Sequence, residues 1–170
     1  MLQKTNASRF TPRWKNCPSI VLRAKSTIIS IKVAQVKPGG GEIKTYPAQC
    51  QSTNIGPKQT WYMVDPHDMG CNSHIKDGTK VQFINAESEG VLWNGNANGF
   101  GDWLDASGGV GTPRPEGNWK VQCGCDPCVP CSEPTYILSS ENDGFLFCDT
   151  VQLGVTKKKR KSTEWEIAFA

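Results

Sequence analysis

The sequence predicts an all-β domain of about twelve strands with pseudo-threefold symmetry. A tryptophan opens a short apolar strand at three places, Trp61, Trp119 and Trp165. No stretch shows a sustained helical period, and the best candidate, Ile31 to Val36, is short and stops at Pro38. The 170 residues include 17 glycines and 11 prolines, a turn-rich composition that argues against a long-helix bundle, a coiled coil or collagen.

Each repeat reads as a hairpin. β-Branched and aromatic runs favour extended chain, and a Glu-Gly or Asp-Gly pair supplies the positive φ of a tight turn. In the first repeat a strand at 21–24 is followed by a second strand at 28–31. In the other two repeats the opening strands, 81–85 and 136–139, are followed by turns at 87–90 and 141–144. One hairpin cannot bury its own apolar face, so three must share a core. A tryptophan at the same place in each repeat is most simply a residue of that core.

The domain organisation follows from these repeats. We predict an N-terminal arm at 1–16 and a single domain at 17–170, with repeats at about 17–66, 78–123 and 133–170. The longest apolar runs, such as residues 19–22, fall far short of the roughly 18 residues that a membrane span needs. We therefore predict no membrane span.

The pattern of three hairpins, each closed by a tryptophan strand, resembles the β-trefoil over about residues 18–170. Gln59-Thr60-Trp61 is similar to the Gln-x-Trp signature of ricin-B-type lectins, whereas the triplets ending at Trp119 and Trp165 lack the glutamine. The lectin resemblance implies carbohydrate binding without catalysis. β-Trefoils also include Kunitz soybean-type protease inhibitors, growth factors, cytokines and fascin units, so a protein-binding module is the alternative.

One segment of repeat two has the composition of a saccharide site. Such sites combine an aromatic face with planar amide or carboxylate groups that bind neighbouring hydroxyls. Three aromatic residues, Trp93, Phe100 and Trp103, lie among the polar ones. We expect Trp103 to be exposed, and Trp93 and Phe147 to belong to the core. The predicted ligand-binding residues are Asn94, Asn96, Asn98, Asp102 and Trp103.

Residues 94–105 also invite comparison with a calcium loop, because oxygen-bearing side chains recur at positions one, three, five, nine and twelve. The segment departs from that pattern in having Asn94 at position one and Asp105 at position twelve, without flanking helices. The alternative is a long turn whose side chains cap its own backbone. We predict no required cofactor.

The chain has eight cysteines, an even number that fits a disulfide framework and an oxidising, extracellular setting. The residues after Met1 lack the apolar core of a signal peptide, so we expect either a removed leader or a cytosolic chain, and favour the leader. The four cysteines within 123–131 could bind zinc together with His67, Cys71 and His74. Disulfides explain the same residues, with four distant cysteines as partners, at Cys17, Cys50, Cys71 and Cys148.

The net charge of +3 is unevenly spread. A basic run of five cations carries more than the whole net charge, so the rest of the chain is slightly acidic. Such a run can bind heparin-like sulfated glycans, nucleic acid or anionic lipid, or lie solvated in a loop; we do not expect nucleic acid as the partner. The residues of the basic run are Lys157, Lys158, Lys159, Arg160 and Lys161.

Enzyme interpretations have little support in the sequence. Cys71 and His74 are three residues apart in a turn, without an evident third group to orient them. Glu87 and Glu89 belong to a hairpin turn, where water keeps both carboxyls ionised. We therefore predict a protein without catalytic activity that binds a glycan or an extracellular protein.

Overall fold

The computed structural model describes residues 11–37, 39, 41–51, 54–72, 74–111 and 114–170. Within these ranges the chain forms short 3₁₀ helices at Arg13–Asn16, Pro57–Gln59, Pro115–Gly117 and Lys161–Thr163. The strands are β1 (Ser19–Ala24), β2 (Thr27–Ile31), β3 (Gln35–Lys37), β4 (Gly41–Thr45), β5 (Ala48–Gln51), β6 (Trp61–Val64), β7 (Lys80–Asn85), β8 (Val91–Asn94), β9 (Leu104–Gly108), β10 (Trp119–Gln122), β11 (Tyr136–Ser139), β12 (Phe145–Asp149), β13 (Gln152–Thr156) and β14 (Glu166–Phe169). Twelve of these strands belong to one sheet. No helix in the described ranges has the length and apolar content that a membrane crossing requires.

Six strands close into a barrel. β1 pairs with β6, β6 with β7, β7 with β10, and β10 with β11, all antiparallel. A backbone bridge between Thr135 and Trp165 connects the start of β11 to β14, and β14 pairs with β1. These are the first and last strands of the three repeats, so each repeat contributes two strands to the barrel.

The middle two strands of each repeat form a hairpin: β2 with β5, β8 with β9, and β12 with β13. Adjacent hairpin regions are joined by backbone hydrogen bonds from Ala106 N to Tyr46 O (2.8 Å), Gly101 N to Val155 O (3.0 Å), and Cys50 N to Val151 O (3.0 Å). β3 and β4 form a separate two-stranded sheet inserted in the first hairpin. The twelve remaining strands divide into three sets of four, which confirms the predicted all-β, pseudo-threefold architecture.

The three repeat tryptophans occupy equivalent positions in the core. Trp61, Trp119 and Trp165 are all buried. Their indole N–H groups donate to the carbonyl oxygens of Ile29 (3.1 Å), Leu92 (3.0 Å) and Leu146 (2.8 Å). Each acceptor lies in the second strand of the same repeat, so every indole ties the end of its repeat to the hairpin. The prediction that these residues hold the fold is confirmed.

The position two residues before the tryptophan has a structural role in repeats one and three. The Gln59 amide accepts the Gly56 N–H and donates to the buried Ser30 hydroxyl, both at 2.9 Å. In repeat three the Thr163 hydroxyl accepts the N–H of Arg160 at 3.0 Å. The threonine of repeat three therefore accepts the equivalent backbone N–H, three residues before it, that the glutamine accepts in repeat one.

In the tight turns, the acidic residue and the glycine of each predicted Glu-Gly or Asp-Gly pair have different structural roles. Positive φ angles occur at Glu89 (57°) and Asp143 (56°), not at the glycines that follow them. Gly90 is needed for space, because a Cβ there would overlap the carbonyl oxygen of Ala106. The glycine thus allows a close approach between β8 and β9, while the acidic residue adopts the left-handed conformation.

All eight cysteines form disulfides, which confirms the predicted framework. The bridges are Cys17–Cys71, Cys50–Cys148, Cys123–Cys128 and Cys125–Cys131. The expected pairing of the 123–131 cluster with distant cysteines is wrong, because the folded loop brings its own cysteines to Cα separations of 5.7 Å. A backbone hydrogen bond from Cys50 N to Val151 O joins the first and third hairpins beside the Cys50–Cys148 bridge. The zinc alternative therefore has no free thiolate in the cluster.

The described part of the N-terminal arm packs against the domain. Trp14 is 5% exposed and contacts the edge of Tyr62, with ring centroids 5.4 Å apart. Lys15 forms an ion pair with Glu89. Residues 1–10 of the predicted arm lie outside the described residues. The boundaries of the arm and of the three repeats stay predictions.

Candidate ligand-binding site

The connection from β8 to β9 contains the predicted site, which we call the Asn-rich loop (residues 94–105). Asn94 is only 1% exposed. Its amide donates to the Gly99 carbonyl at 2.9 Å, and its Oδ1 accepts the Asn96 amide at 2.8 Å. Asn94 thus holds the loop together and presents no polar atom to a ligand.

Asn96 and Asn98 also cap the loop's own backbone. Asn96 Oδ1 accepts the Trp103 N–H at 3.2 Å, and the exposed Asn98 accepts the Phe100 N–H at 3.1 Å. The Gly95 N–H donates to the Trp103 carbonyl at 2.8 Å. These bonds are those of a self-capping turn, and the oxygens that the calcium comparison relies on already accept N–H groups.

The indole of Trp103 projects into solvent. It is 67% exposed, as expected, although both peptide groups of the residue are hydrogen-bonded within the loop. Next to it in sequence, Asp102 Oδ2 accepts the side-chain amide of Gln152 at 2.7 Å. Sequence reasoning missed Gln152, because it lies 50 residues away in repeat three and no local pattern connects the two.

Repeat three anchors the Asn-rich loop. Gly101 and Val155 exchange two backbone hydrogen bonds, at 3.0 and 2.7 Å. Gly154 allows this approach, because a Cβ there would lie 2.5 Å from the Gly101 carbonyl oxygen. Phe100 packs against the main core. These contacts fix the part of the loop that immediately precedes Trp103.

The other two aromatic residues lie further inside. Phe147 is buried, which confirms its assignment to the core. The assignment of Trp93 to the core is wrong: it is half-buried, because its ring lies against Gly108 and Gly117 with the Arg114 guanidinium 5.6 Å from its centroid. Of the aromatic residues considered for a saccharide site, Trp103 is thus the one with a largely free face.

A carboxyl group of repeat three borders the Asn-rich loop. Glu141 Oε2 lies 3.5 Å from the Asn94 amide nitrogen. Loss of hydration raises the pKa of Glu141 above the usual range, and the negative charge of Glu116 raises it further. Glu141 therefore holds a proton to higher pH than an ordinary glutamate does.

The basic run is exposed along its whole length. Three of its cations lie over aromatic rings: Lys157 over Phe100 (5.1 Å), Lys159 over Tyr136 (4.0 Å) and Arg160 over Phe147 (5.1 Å). Within the described ranges, Lys158 and Lys161 have neither a ring nor a carboxylate partner. The run is thus partly held against the surface.

The residues considered for catalysis or metal binding form other interactions in the structure. The Cys71 sulfur is in a disulfide, so a nucleophilic pair with His74 would have no thiol. His74 Nε2 instead lies 3.2 Å from Asp126 Oδ1 at the surface. Considering only the parts of the chain that the structure describes, no three His, Cys, Asp or Glu side chains are placed to hold a metal.

The structure also shows two grooves that sequence reasoning missed. One, of about 440 Å³, lies between the cysteine-rich loop and β11 and includes Tyr136 and Lys159. The other, of about 710 Å³, lies in repeat one beside Gln49, Gln51 and Gln59. Both assemble residues that are distant in sequence, so no local motif announces them.

Comparison with known proteins adds structural relatives at low sequence identity. No protein-family model matches the chain, and no curated protein matches it. A solved structure described as a BEL β-trefoil superposes with a TM-score of 0.60 at 15% identity, covering 93% of this chain and 99% of that one. The fold is a β-trefoil.

Two other solved structures match the chain at similar identity. The SDF2-like protein from Arabidopsis thaliana gives a TM-score of 0.67 at 13% identity, covering 89% of this chain and 93% of that chain. The exo-β-1,3-galactanase 1,3Gal43A from Clostridium thermocellum gives 0.63 at 13% identity, covering 90% of this chain but 30% of that one. At such identities the likeness concerns the fold alone.

Proposed function

We propose that this β-trefoil is a non-catalytic carbohydrate-binding protein whose ligand stacks on the indole of Trp103. The observation that carries the proposal is an exposed tryptophan whose own backbone N–H and carbonyl are both hydrogen-bonded within the loop. An exposed indole offers a flat apolar face on which the C–H face of a pyranose can stack. A rigid platform also loses little conformational entropy when a ligand binds.

The groups around the indole suit a sugar. The C–H face of a pyranose covers the ring, while its hydroxyls reach polar side chains at the edge. The Asp102 carboxylate offers acceptors there, the Gln152 amide that donates to it offers donors, and Asn98 adds an exposed amide. Asn94 and Asn96 act as the scaffold beneath.

Further support comes from the comparisons and the disulfides. The galactanase has a carbohydrate-related name, and this chain matches about a third of its length. No thiol is left to act as a nucleophile, because all eight cysteines are paired. The four disulfides favour an oxidising, extracellular location, which is part of the proposal.

A glycan array tests this function, with Trp103→Ala and a matched surface variant, Val151→Ala, since Val151 is 66% exposed. We expect defined glycans to bind wild type and Val151→Ala equally, and Trp103→Ala at least tenfold more weakly, the loss of about 1.4 kcal/mol of stacking. Undiminished binding by Trp103→Ala would move the site, with the 710 Å³ groove of repeat one as the next place to examine. A silent array would favour a protein partner.

Polyanion binding by the basic run is the second candidate, favoured by its five exposed cations. Several cations of the run would displace the counterions bound to the sulfate groups of a sulfated glycan. Retention of the protein on heparin should therefore fall steeply as the salt concentration rises. The double variant Lys158→Gln/Lys161→Gln removes the two cations without ring partners and should elute earlier. Elution of wild type at physiological ionic strength would exclude this candidate.

A further inference from the structure

The groove of about 440 Å³ is built from three separate parts of the chain. We call it the Tyr136 groove; its lining includes Gln122, Gly124, Glu133, Pro134, Tyr136 and Lys159. Its volume is within the roughly 300–1,000 Å³ of ordinary small-molecule sites. It shares no lining residue with the Trp103 platform, so it is a separate location.

The walls of the Tyr136 groove are held in place. On one side the disulfides Cys123–Cys128 and Cys125–Cys131 staple the loop, and the Cys123 N–H donates to Asp77 at 3.0 Å. On the other side, Thr135 exchanges two backbone hydrogen bonds with Trp165, at 2.9 and 2.8 Å. A ligand therefore meets a preformed site.

An aromatic ring and an amide lie side by side in the groove. Gln122 and Tyr136 are directly opposite each other on β10 and β11, so their side chains are on the same face. Phe145 packs edge-on against the Tyr136 ring at 6.1 Å. The ring is thus fixed in orientation and half-exposed, with a hydrogen-bonding group at its edge.

Two opposite charges share the groove without pairing. Lys159 Nζ lies over the Tyr136 ring, 4.0 Å from its centroid. The Glu133 carboxylate lies against Gly124, in the space that a Cβ would fill. Within the described residues, neither group forms an ion pair or hydrogen bond. Both are available to a ligand, and the ammonium needs only a side-chain rotation to leave the ring.

This arrangement discriminates between classes of ligand. A neutral sugar would use the ring and the amide but leave the ammonium unpaired. A densely sulfated chain would bring like charge against Glu133, which is unfavourable. A ligand with one carboxylate and several hydroxyls satisfies every group, since Glu133 and Gln122 can bind hydroxyls while Lys159 pairs with the acid.

We propose that the Tyr136 groove binds an acidic saccharide unit, a hexuronic acid, with its carboxylate on Lys159, its pyranose face on Tyr136 and its hydroxyls on Glu133 and Gln122. This site is independent of the Trp103 platform. It would let the protein bind acidic sugars selectively, whereas an exposed indole can stack with any pyranose.

Titration of the ¹⁵N-labelled full chain with glucuronate and with glucose, followed by amide NMR shifts, tests the inference. We expect glucuronate to shift the amides of Gly124, Glu133 and Tyr136, with an affinity about tenfold above that of glucose. Lys159→Gln should reduce glucuronate to the level of glucose. Lys158→Gln, a matched change in the same run outside the groove, should leave it unaltered.

Two further variants separate this site from the proposed function. Tyr136→Leu, with native-like amide spectra, should weaken both sugars, whereas Trp103→Ala should not alter the groove shifts. Equal affinity for the two sugars, an equal effect of Lys158→Gln and Lys159→Gln, shifts confined to the Asn-rich loop, or no shifts at all would each overturn the inference. Failure at Trp103 alone would leave it standing.

Discussion

The hydrogen bonds of the three equivalent indoles predict that Trp119→Phe lowers the free energy of unfolding measurably. Trp119 is buried, and its Nε1 donates to Leu92 O at 3.0 Å. Phenylalanine retains an aromatic ring but removes the donor, so the buried carbonyl loses this partner. It also leaves part of the indole volume empty between the barrel and the hairpin of repeat two.

The two effects add to a few kcal/mol. A buried acceptor left without its donor costs about 1–3 kcal/mol. The smaller ring leaves about 40 Å³ unfilled, which at roughly 24 cal/mol per Å³ adds about 1 kcal/mol. We therefore expect Trp119→Phe to lower the free energy of unfolding by about 2–4 kcal/mol.

Urea unfolding of the oxidised protein, followed by far-UV circular dichroism, measures this difference. Trp103→Phe is the matched control, because the same chemical change at an exposed indole should cost less than about 0.5 kcal/mol. A loss below 1 kcal/mol for Trp119→Phe, or equal losses at the two positions, would refute the argument that the indole bonds hold each repeat to its hairpin.

Two other predictions concern stability. Gly90→Ala should destabilise by about 2 kcal/mol or more, since its Cβ would overlap the backbone oxygen of Ala106; Gly56→Ala, which meets only a side-chain oxygen at 3.3 Å, should cost much less in the same urea assay, and similar costs would contradict this. The raised pKa of Glu141 means that the folded state holds its proton more tightly than the unfolded chain, so stability is lost as pH rises through the folded pKa. Glu141→Gln should therefore unfold at a higher temperature than wild type at pH 7 and at the same temperature below about pH 4; the reverse order would contradict the pKa direction.

Local patterns in the sequence were sufficient for the fold class. The three tryptophan strands and their opening hairpins repeat, and that repetition predicts a shared core. Strand signals within a few residues also located the turns at 87–90 and 141–144. The sequence did not predict which residue of each turn has the positive φ and which must be small. Gly90 is constrained by Ala106 on the opposite strand rather than by its own φ.

The candidate site was predicted less completely. Trp103 was expected to be exposed from its Gly and Asp neighbours, and it is. Asparagine is a residue type that binds sugar hydroxyls, but Asn94 is buried and its amide donates to the Gly99 carbonyl. The sequence did not predict this, because composition does not tell which amides point inward. Gln152 and the Tyr136 groove depend on contacts between repeats, which have no signature in a single stretch of chain.

The sequence by itself determined the number of repeats, the tryptophan core and the presence of a disulfide framework, because those properties depend on residue type and spacing within one hairpin. Only the tertiary structure decided which cysteines pair, which asparagines are exposed, and that an unpaired cation, a carboxylate and a fixed aromatic ring share one groove. The Cys50–Cys148 bridge and the groove depend on which repeat lies beside which, and closure of the barrel sets that arrangement through backbone hydrogen bonds between strands far apart in the chain. The two bridges within 123–131 and the burial of Asn94 depend instead on how each loop folds back on itself.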